Sequence, residues 1–367
     1  MENNDVNQDV KTNEAGQNAP KAQNQNPMVN ARTVLDGLKQ RIITNSQPKP
    51  ISTGFPGLDE KLGGGLFEGL YFIGAISSLG KTTLVCQIAD QIAATGHDVM
   101  IFSLEMSHQE LMVKSISRLS GLIAATEKIG TGMKGLTTRD LLNKVRNVWT
   151  PEELNLIYYA FSIYGIFASN IYIEQGSGDI GVKHIRDQVE KHIRETGREP
   201  VVIIDYIQLL APYSEKYVTD KQNVDKTVLE LKRCSRDLGI SVIGISSLNR
   251  QNYKEEISMT AFKESGSIEY GADVLIGLQL TGTGTDGFDV EEAKRKIPRE
   301  VDVKILKNRN GPTGHIINFL YCPDINYFTQ DVNPPCRDDD ILANLVTKYF
   351  ENGQTTIEES VPARTKN

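Results

Sequence analysis

Several features are scarce or missing in this chain of 367 residues, and each absence narrows the classes of protein to consider. The four cysteines, at positions 86, 234, 322 and 336, lack the C-x-x-C spacing of a zinc site and the density of a secreted disulfide framework. No apolar run approaches the length of a membrane span, and the first residues lack the layout of a signal peptide. These absences favour a protein of the reducing cytoplasm without a membrane segment.

An excess of positive charge is also missing, because the formal net charge is −7 at pH 7. This balance argues against a nucleic-acid binder coated in basic surface. It leaves room for a localised basic channel, because phosphate contacts need only a few lysines, arginines or backbone N–H groups. A hydrophobic content of 39% and a charged content of 24% are typical of a soluble globular protein.

Large apolar residues are almost absent from residues 1–30, which we therefore predict to be a disordered Asn/Gln-rich tail. Residues 31–43 have apolar side chains at helical spacing and predict a short amphipathic helix that needs a docking surface. That surface belongs either to its own domain or to a neighbouring subunit. We expect a docking or linker segment at 31–50, the main domain at 51–332, and a C-terminal helix and tail at 333–367.

Short apolar runs predict strands that alternate with helices, which is typical of an α/β fold with a mainly parallel sheet flanked by helices. The runs cover residues 70–73, 98–104, 201–204, 240–245, 274–280, 301–306 and 316–321. The last two flank an Asn-Gly-Pro-Thr-Gly turn and predict a C-terminal β-hairpin. Residues 107–195 are predicted as helices and loops, and 282–298 as a flexible loop. A last helix is predicted over 338–351, with an apolar stripe that needs cover in cis or in trans.

The stretch GLYFIGAISSLGKTT, residues 69–83, has the strand, polar loop and helix start of a phosphate-binding P-loop. Gly80 would let the backbone approach the phosphates, Lys81 would reach the β- and γ-phosphates of ATP, and the Thr82 hydroxyl would hold Mg²⁺. Ala75 occupies the place of the first glycine of the general pattern, so an ordinary strand–turn–helix is the alternative. The predicted nucleotide contacts of the loop are Ser77, Ser78, Leu79, Gly80, Lys81, Thr82 and Thr83.

Charged residues stand at the ends of three further predicted strands. Asp205 has the placement of a Walker B aspartate that holds Mg²⁺ through water. Glu105 ends the strand after the P-loop helix, where a carboxylate can polarise a water for attack on the γ-phosphate, or can be a helix N-cap or a surface acid. Lys307 and Arg309 are either a solvated strand end or, in a ring, cations that reach a neighbour's ATP.

Seven stretches together resemble the RecA-like motor domain of the DnaB-type replicative helicases, over residues 51–327. In order, they are TGFPGLDEKLGGGL, SSLGKTT, FSLEMS, VVIIDYIQLL, ISSLNR, KESGSIEYGAD and KNRNGPTG. The resemblance implies a RecA-like P-loop NTPase fold and a homo-oligomer, expected to be a hexameric ring. It also implies ATP and Mg²⁺ as cofactors and single-stranded DNA as the partner.

The same resemblance assigns roles to residues of the nucleotide site. Lys81 and Thr82 correspond to ligands of the phosphates and Mg²⁺, Glu105 to the catalytic base, and Asp205 to the Walker B acid and second magnesium ligand. Gln208 lies in the family's D-Y-x-Q-L element and is expected to contact the nucleotide.

Two further groups of residues take their roles only from the resemblance. Lys307 and Arg309 correspond to catalytic cations supplied to the adjacent subunit's nucleotide. The stretch KESGSIE corresponds to a channel loop that grips single-stranded DNA, which makes Lys263, Glu264 and the N–H of Gly266 DNA-binding candidates.

This chain departs from the family pattern at three places. Ile76 and Ser77 replace an arginine and a proline of the P-loop, and Ser247 replaces the glutamine that senses the γ-phosphate. The primase-recruiting N-terminal domain is not expected in residues 1–50, and the sequence names no loader or primase. Three functions follow for comparison: a ring-forming helicase motor, a DNA-stimulated ATPase that loads or remodels replication proteins without unwinding, and a non-catalytic ATP-gated scaffold.

Overall fold

The computed structural model describes residues 28–44, 49–126, 132–142, 149–212, 219–248, 255–262, 265–330 and 340–352. The chain divides into two compact units, Met1–Pro48 and Lys49–Asn367. In the first unit, α1 (Ala31–Ile43) has the bounds that the apolar spacing predicts, and Asn30 caps it by accepting a hydrogen bond from the N–H of Arg32 at 2.8 Å. Its apolar side chains are between 49% and 68% exposed: Val34, Leu35, Leu38, Ile42 and Ile43.

The second unit is organised around one mixed sheet with the strand order β3-β2-β4-β5-β1-β6-β7-β8-β9. The described strands are β1 (Gly69–Ala75), β2 (Val99–Ser103), β3 (Ile171–Gln175), β4 (Val201–Asp205), β5 (Ser241–Ser247), β6 (Val274–Leu280), β7 (Arg299–Asn308), β8 (Ile316–Cys322) and β9 (Tyr327–Thr329). Strands β3 to β6 in this order are parallel, whereas β6, β7, β8 and β9 pair antiparallel. The predicted parallel sheet and the β7–β8 hairpin are confirmed.

Helices cover both faces of this sheet, which explains why its central strands read as continuous apolar runs. The described helices are α2 (Pro56–Leu62), α3 (Lys81–Ala94), α4 (His108–Ala125), α5 (Thr138–Leu142), α6 (Pro151–Phe167), α7 (Val182–Thr196), α8 (Asp220–Leu238), α9 (Ser265–Gly271), α10 (Val290–Arg295) and α11 (Ile341–Glu351). Successive residues of β1 alternate between two apolar cores. Tyr71 and Ile73 enter one core, and Leu70 and Phe72 enter the other.

Three elements differ from the sequence-based expectation. Strand β3 lies at the sheet edge inside a region predicted as helices and loops, and its half-exposed side chains give no apolar run. Helix α10 interrupts the predicted flexible loop, because Asp289 accepts hydrogen bonds from the N–H groups of Glu291 and Glu292. Helix α11 begins at Ile341 and buries Leu342 and Val346 on its own chain's core, which settles the cis alternative.

None of the helices in the part of the chain that the structure describes is both long and apolar enough to cross a lipid bilayer.

Candidate nucleotide site

A cavity of about 850 Å³ lies at the carboxyl ends of the parallel strands. In the sheet, Ala75 of β1 pairs with Ser247 of β5, and Ser103 of β2 pairs with Asp205 of β4, so these four strands end at one edge. This edge is where open α/β sheets bind their ligands. The lining contains the predicted catalytic base Glu105 and most of the predicted nucleotide contacts: Ser77, Ser78, Gly80, Lys81, Thr82, Thr83 and Asp205.

The loop between β1 and α3 requires glycine at position 80 for two reasons. The φ angle of Gly80 is 90°, a left-handed conformation that side chains disfavour. A Cβ atom there would also lie 2.9 Å from the ring of Phe328 and 3.0 Å from that of Tyr321. These two rings stack with centroids 4.2 Å apart and form a floor beneath the loop. The loop backbone is thus held close to a rigid support at the start of α3, where N–H groups can bind phosphate.

Lys81 points back across the loop that precedes it. Its Nζ donates hydrogen bonds to the carbonyl oxygens of Ala75 at 2.9 Å and Ile76 at 3.3 Å. The ammonium group therefore lies over the loop, within the cavity that the same loop lines. A phosphate bound by the loop would meet this charge directly.

Thr82 and Asp205 connect the first turn of α3 with the end of β4. The Thr82 hydroxyl donates a hydrogen bond of 2.8 Å to Oδ2 of Asp205, a residue that is only 2% exposed. Burial raises the pKa of Asp205 to about 6, and the charge of Glu105 adds to the increase, while the Thr82 bond opposes it.

The second carboxylate oxygen of Asp205 supports a magnesium site. Oδ1 is buried and has no hydrogen-bond partner among the described residues. An unpaired carboxylate oxygen beside a threonine hydroxyl is the kind of oxygen set that Mg²⁺ uses, usually together with waters and substrate phosphates. The residues present therefore fit this metal ion.

Glu105 lies two residues beyond the end of β2, the strand that pairs with β4. Its side chain is exposed and lines the cavity. Because Ser103 pairs with Asp205, the two acids stand at neighbouring strand ends. Water can reach the exposed carboxylate of Glu105, whereas the carboxylate of Asp205 is buried. The two acids can therefore have different chemical roles.

Several polar residues of the cavity were not predicted. Lys114 of α4 donates to Oδ1 of Asn326 at 3.2 Å, and burial lowers the pKa of its ammonium group. Arg299 of β7 donates to the carbonyl oxygen of Ser78 at 3.2 Å, and its guanidinium lies 5.7 Å from the ring centroid of Tyr321. Arg299 is 221 residues from Ser78 in the sequence, so no local pattern could have indicated the contact.

Two predicted nucleotide contacts lie outside the lining of this cavity. The side chain of Leu79 is buried in the core beneath the loop. Gln208 donates from Nε2 to Oγ of Ser246 at 2.9 Å, behind the cavity wall, while Ser247 lines the cavity itself. Neither Leu79 nor Gln208 therefore presents its side chain to the space that the P-loop encloses.

Lys307 and Arg309 lie at the opposite edge of the sheet from the cavity. Strand β7 runs antiparallel to β6, so it ends where the parallel strands begin. The Arg309 guanidinium is 3.3 Å from Oδ1 of Asp273, the residue before β6, while Lys307 donates to the carbonyl oxygens of Glu269 and Tyr270 at 2.5 and 3.3 Å. The length of β1 separates the two edges by about 20 Å. Neither cation can therefore reach its own chain's P-loop in this arrangement.

The predicted DNA contacts are described only in part. Gly266 is exposed in the first turn of α9. Lys263 and Glu264 lie outside the described residues.

The fold and the loop at the carboxyl edge are those of the RecA-like P-loop NTPase class. Comparison with family models identifies the branch: residues 50–330 match the DnaB-like helicase C-terminal domain. The chain belongs to this family, which confirms the resemblance seen in the seven sequence stretches.

Curated relatives agree with this assignment. The replicative DNA helicase DnaC of Bacillus subtilis (strain 168) is 30% identical over 284 residues, which cover 76% of this chain and 56% of the relative. The replicative DNA helicase DnaB of Pasteurella multocida (strain Pm70) is 30% identical over 274 residues, with 72% and 52% coverage. The chain thus spans about half the length of the curated relatives that it matches.

Two solved structures confirm the fold. One is an isolated ATPase domain, which superposes with a TM-score of 0.66 at 22% identity, covering 83% of this chain and 99% of that one. A DnaB-like replicative helicase, solved in a study of its interactions with primase, gives a TM-score of 0.65 at 21% identity, with 82% and 68% coverage.

Proposed function

We propose that this chain is an ATP-hydrolysing motor that assembles into a ring, translocates on single-stranded DNA and unwinds duplex DNA. The observation that carries the proposal is the cavity at the carboxyl edge, where Lys81, the Thr82–Asp205 pair and Glu105 converge. Membership of the DnaB-like family adds the expected class of reaction.

Each of these side chains has a separate task in the proposed reaction. Lys81 binds the β- and γ-phosphates of ATP, and the loop N–H groups surround them. Thr82 and Asp205 hold Mg²⁺, which supplies positive charge to the phosphate oxygens. Glu105, exposed to solvent at the neighbouring strand end, orients the attacking water and accepts its proton.

Arg309 is proposed to act on the nucleotide of another copy. It lies about 20 Å from its own P-loop along β1 and its side chain is 64% exposed, so a phosphate on a second subunit is the site that it can serve. This geometry supports a closed ring, expected to be a hexamer, in which each subunit completes its neighbour's site.

The amphipathic helix α1 is proposed to help hold that ring together by docking on helix α6 of another copy. Helix α6 exposes three large apolar side chains on the side opposite its buried residues: Tyr158, Phe161 and Ile166. It carries two acidic and no basic residues, whereas α1 carries one acidic and three basic residues. The two helices therefore offer matching apolar faces and opposite charge.

Charge substitution on α6 tests this contact without deleting any segment. Phe161→Asp should shift the assembly toward smaller species in analytical ultracentrifugation, while Thr285→Asp, at an exposed position on a different segment, serves as the control. Unchanged assembly in Phe161→Asp would place α1 elsewhere, including on its own domain.

Single-stranded DNA is the proposed track, contacted by Lys263, Glu264 and the N–H of Gly266. This assignment rests on the match of KESGSIE to the family's channel loop. Because the net charge is −7, strong phosphate contacts are expected at such a local site and not over a broad basic surface.

A forked-duplex assay tests the function as a whole. Protein with ATP and Mg²⁺ should release the displaced strand, and a non-hydrolysable ATP analogue should not support release. Phosphate release that DNA stimulates, without strand separation, would instead establish a loader or remodelling ATPase. Ser247 favours that second candidate, because a short hydroxyl replaces the amide that would link the γ-phosphate to movement. Absence of phosphate release would leave only the scaffold.

A further inference from the structure

One carboxylate, that of Asp273, contacts two cations at the sheet edge opposite the nucleotide cavity. Asp273 lies between α9 and β6, and its side chain is 11% exposed. Its Oδ2 accepts hydrogen bonds from the N–H of Leu70 at 2.8 Å and from Nζ of Lys232, on α8. Its Oδ1 lies 3.3 Å from the guanidinium of Arg309. A fixed acid therefore contacts two cations of very different exposure.

The two cations are not held equally by this acid. Lys232 is 26% exposed and makes the close contact, whereas Arg309 is 64% exposed and makes the long one. The backbone N–H of Arg309 also donates to the carbonyl oxygen of Asp273 at 2.8 Å, so the backbone of the arginine is fixed while its charged end makes only the long contact with Oδ1. Lys232 compensates most of the negative charge of Asp273. Most of the positive charge of Arg309 is therefore not compensated by this acid.

Lys307 is the other charged side chain that β7 brings to this edge. It is directed at the last carbonyl groups of α9 and not at Asp273. Burial and the charge of Arg309 both lower the pKa of Lys307. It therefore does not replace Lys232 as the partner of the acid.

We propose that Lys232 is a positioning residue for the trans reaction: by taking most of the charge of Asp273 it keeps the contact between Arg309 and Asp273 weak, so that Arg309 can leave it for the phosphate of a neighbouring subunit. Without Lys232, Arg309 is the remaining cation on the Asp273 carboxylate and is held more tightly, because a buried acid interacts most strongly with its nearest cation. Arg309 would then still be present but would be retained on its own chain. This inference rests on the proposed action of Arg309 in trans.

Mixed assemblies separate a positioning role from a structural one. In a mixture, Lys81→Ala subunits donate Arg309 but cannot use ATP, and Arg309→Ala subunits use ATP but donate no arginine. The Lys232→Met substitution is introduced into the donor subunit, Lys81→Ala, in one mixture and into the acceptor subunit, Arg309→Ala, in a second mixture. We expect a fall of about tenfold in kcat when it is in the donor and little change when it is in the acceptor. The KM for ATP should be unchanged in both mixtures, because the acceptor's P-loop is intact.

Two rescue variants sharpen the comparison. Asp273→Asn, combined with Lys232→Met in the donor, removes the competing charge and should restore kcat. Lys232→Arg in the donor keeps the compensating cation and should behave as the unmodified donor. Thermal unfolding of each subunit sets an assay temperature at which all variants are folded.

Three outcomes would contradict these claims, each at a different step. An equal loss of turnover from Lys232→Met in donor and acceptor, or no loss in the donor, overturns the inference and leaves the proposed function intact. Failure of unmodified donor and acceptor to recover activity at any ratio removes action in trans, and the inference with it. Wild-type protein that does not hydrolyse ATP overturns the proposed function itself.

Discussion

The Thr82 hydroxyl donates a hydrogen bond of 2.8 Å to Asp205, although the strands that lead to the two residues are not neighbours. Asp205 ends β4, Thr82 lies in the helix that follows β1, and β5 lies between β4 and β1 in the sheet. The contact bridges the first turn of α3 and the end of β4 across that intervening strand. It uses only one of the two carboxylate oxygens, and the other is buried without a partner among the described residues. Asp205 is therefore held in place by one oxygen while the second is available to a metal ion.

The raised pKa of Asp205 predicts how stability depends on pH in the absence of nucleotide and metal. Its pKa is about 6 in the folded chain against 3.8 for an ordinary aspartate, so the folded state binds the proton more tightly. The resulting stabilisation is complete below about pH 4 and is lost as the pH rises through 6. We expect Asp205→Asn to gain about 3 kcal/mol relative to wild type between pH 4 and pH 7.

Urea unfolding at a series of pH values measures this difference. Asp286→Asn, at an exposed position outside the cavity, is the matched control and should follow the wild-type curve at every pH. If the Asp205→Asn and wild-type curves run parallel, the carboxylate is not destabilised by its burial.

The strands that form the nucleotide site could be predicted because the signals for them, apolar runs and the turn residues beside them, lie next to one another in the sequence. Strand β1 and the start of α3 follow from an apolar run that ends in a polar loop, and β6 from a run bounded by turn residues. The placement of Lys81 and Thr82 at the start of α3, and of Asp205 at the end of β4, follows from the same local patterns. Such signals lie within a few residues of one another and do not depend on the rest of the fold.

Contacts between distant segments could not be predicted in the same way. Lys114 and Arg299 enter the cavity from α4 and β7, and their positions depend on how the whole sheet is assembled. Strand β3 was missed because a short edge strand with half-exposed residues has no apolar run. The place of Leu79 within the loop motif likewise did not reveal that its side chain enters the core.

Glu105→Gln should preserve ATP binding and assembly and slow hydrolysis by at least about 10²-fold, because an amide cannot accept the proton of the attacking water. Lys81→Ala is the informative companion, since it should abolish ATP binding as well as turnover. A fluorescent ATP analogue measures binding, and phosphate release measures turnover. Glu195→Gln, an exposed acid at the end of α7, serves as the control. Near-normal hydrolysis in Glu105→Gln would assign the base to another group.

Lys263→Ala should weaken the binding of single-stranded DNA to a similar degree for all sequences, because a phosphate contact carries no base information. The slope of log K against log salt should become shallower by about one charge. Fluorescence anisotropy with two oligonucleotides of unrelated sequence measures both effects, and Lys191→Ala on the exposed side of α7 is the control. Unchanged affinity and an unchanged salt slope would move the DNA contact away from this loop.

Arg309→Ala should reduce ATP turnover by about 10³-fold or more while leaving ATP binding intact, as expected for an arginine that stabilises transition-state charge from a second subunit. Arg309 lies about 20 Å along β1 from its own P-loop, so it cannot act directly on the nucleotide of its own subunit. Mixing Arg309→Ala with Lys81→Ala subunits should restore part of the activity, because some interfaces then pair an intact Lys81 with an intact Arg309. Phosphate release across a range of mixing ratios measures this recovery, which is expected to pass through a maximum.

The control for Arg309→Ala is Arg198→Ala, a partly exposed arginine that contacts Asp98 at the amino end of β2. Its loss should cost stability and not turnover, because it lies at a strand beginning and touches no residue of the cavity. Wild-type turnover in Arg309→Ala would make the residue a solvated strand end and remove the chemical reason for a ring. Inactivity that no mixing ratio relieves would require the arginine to reach its own nucleotide, and hence a rearrangement of β7 against β6 that the antiparallel pairing of these strands opposes.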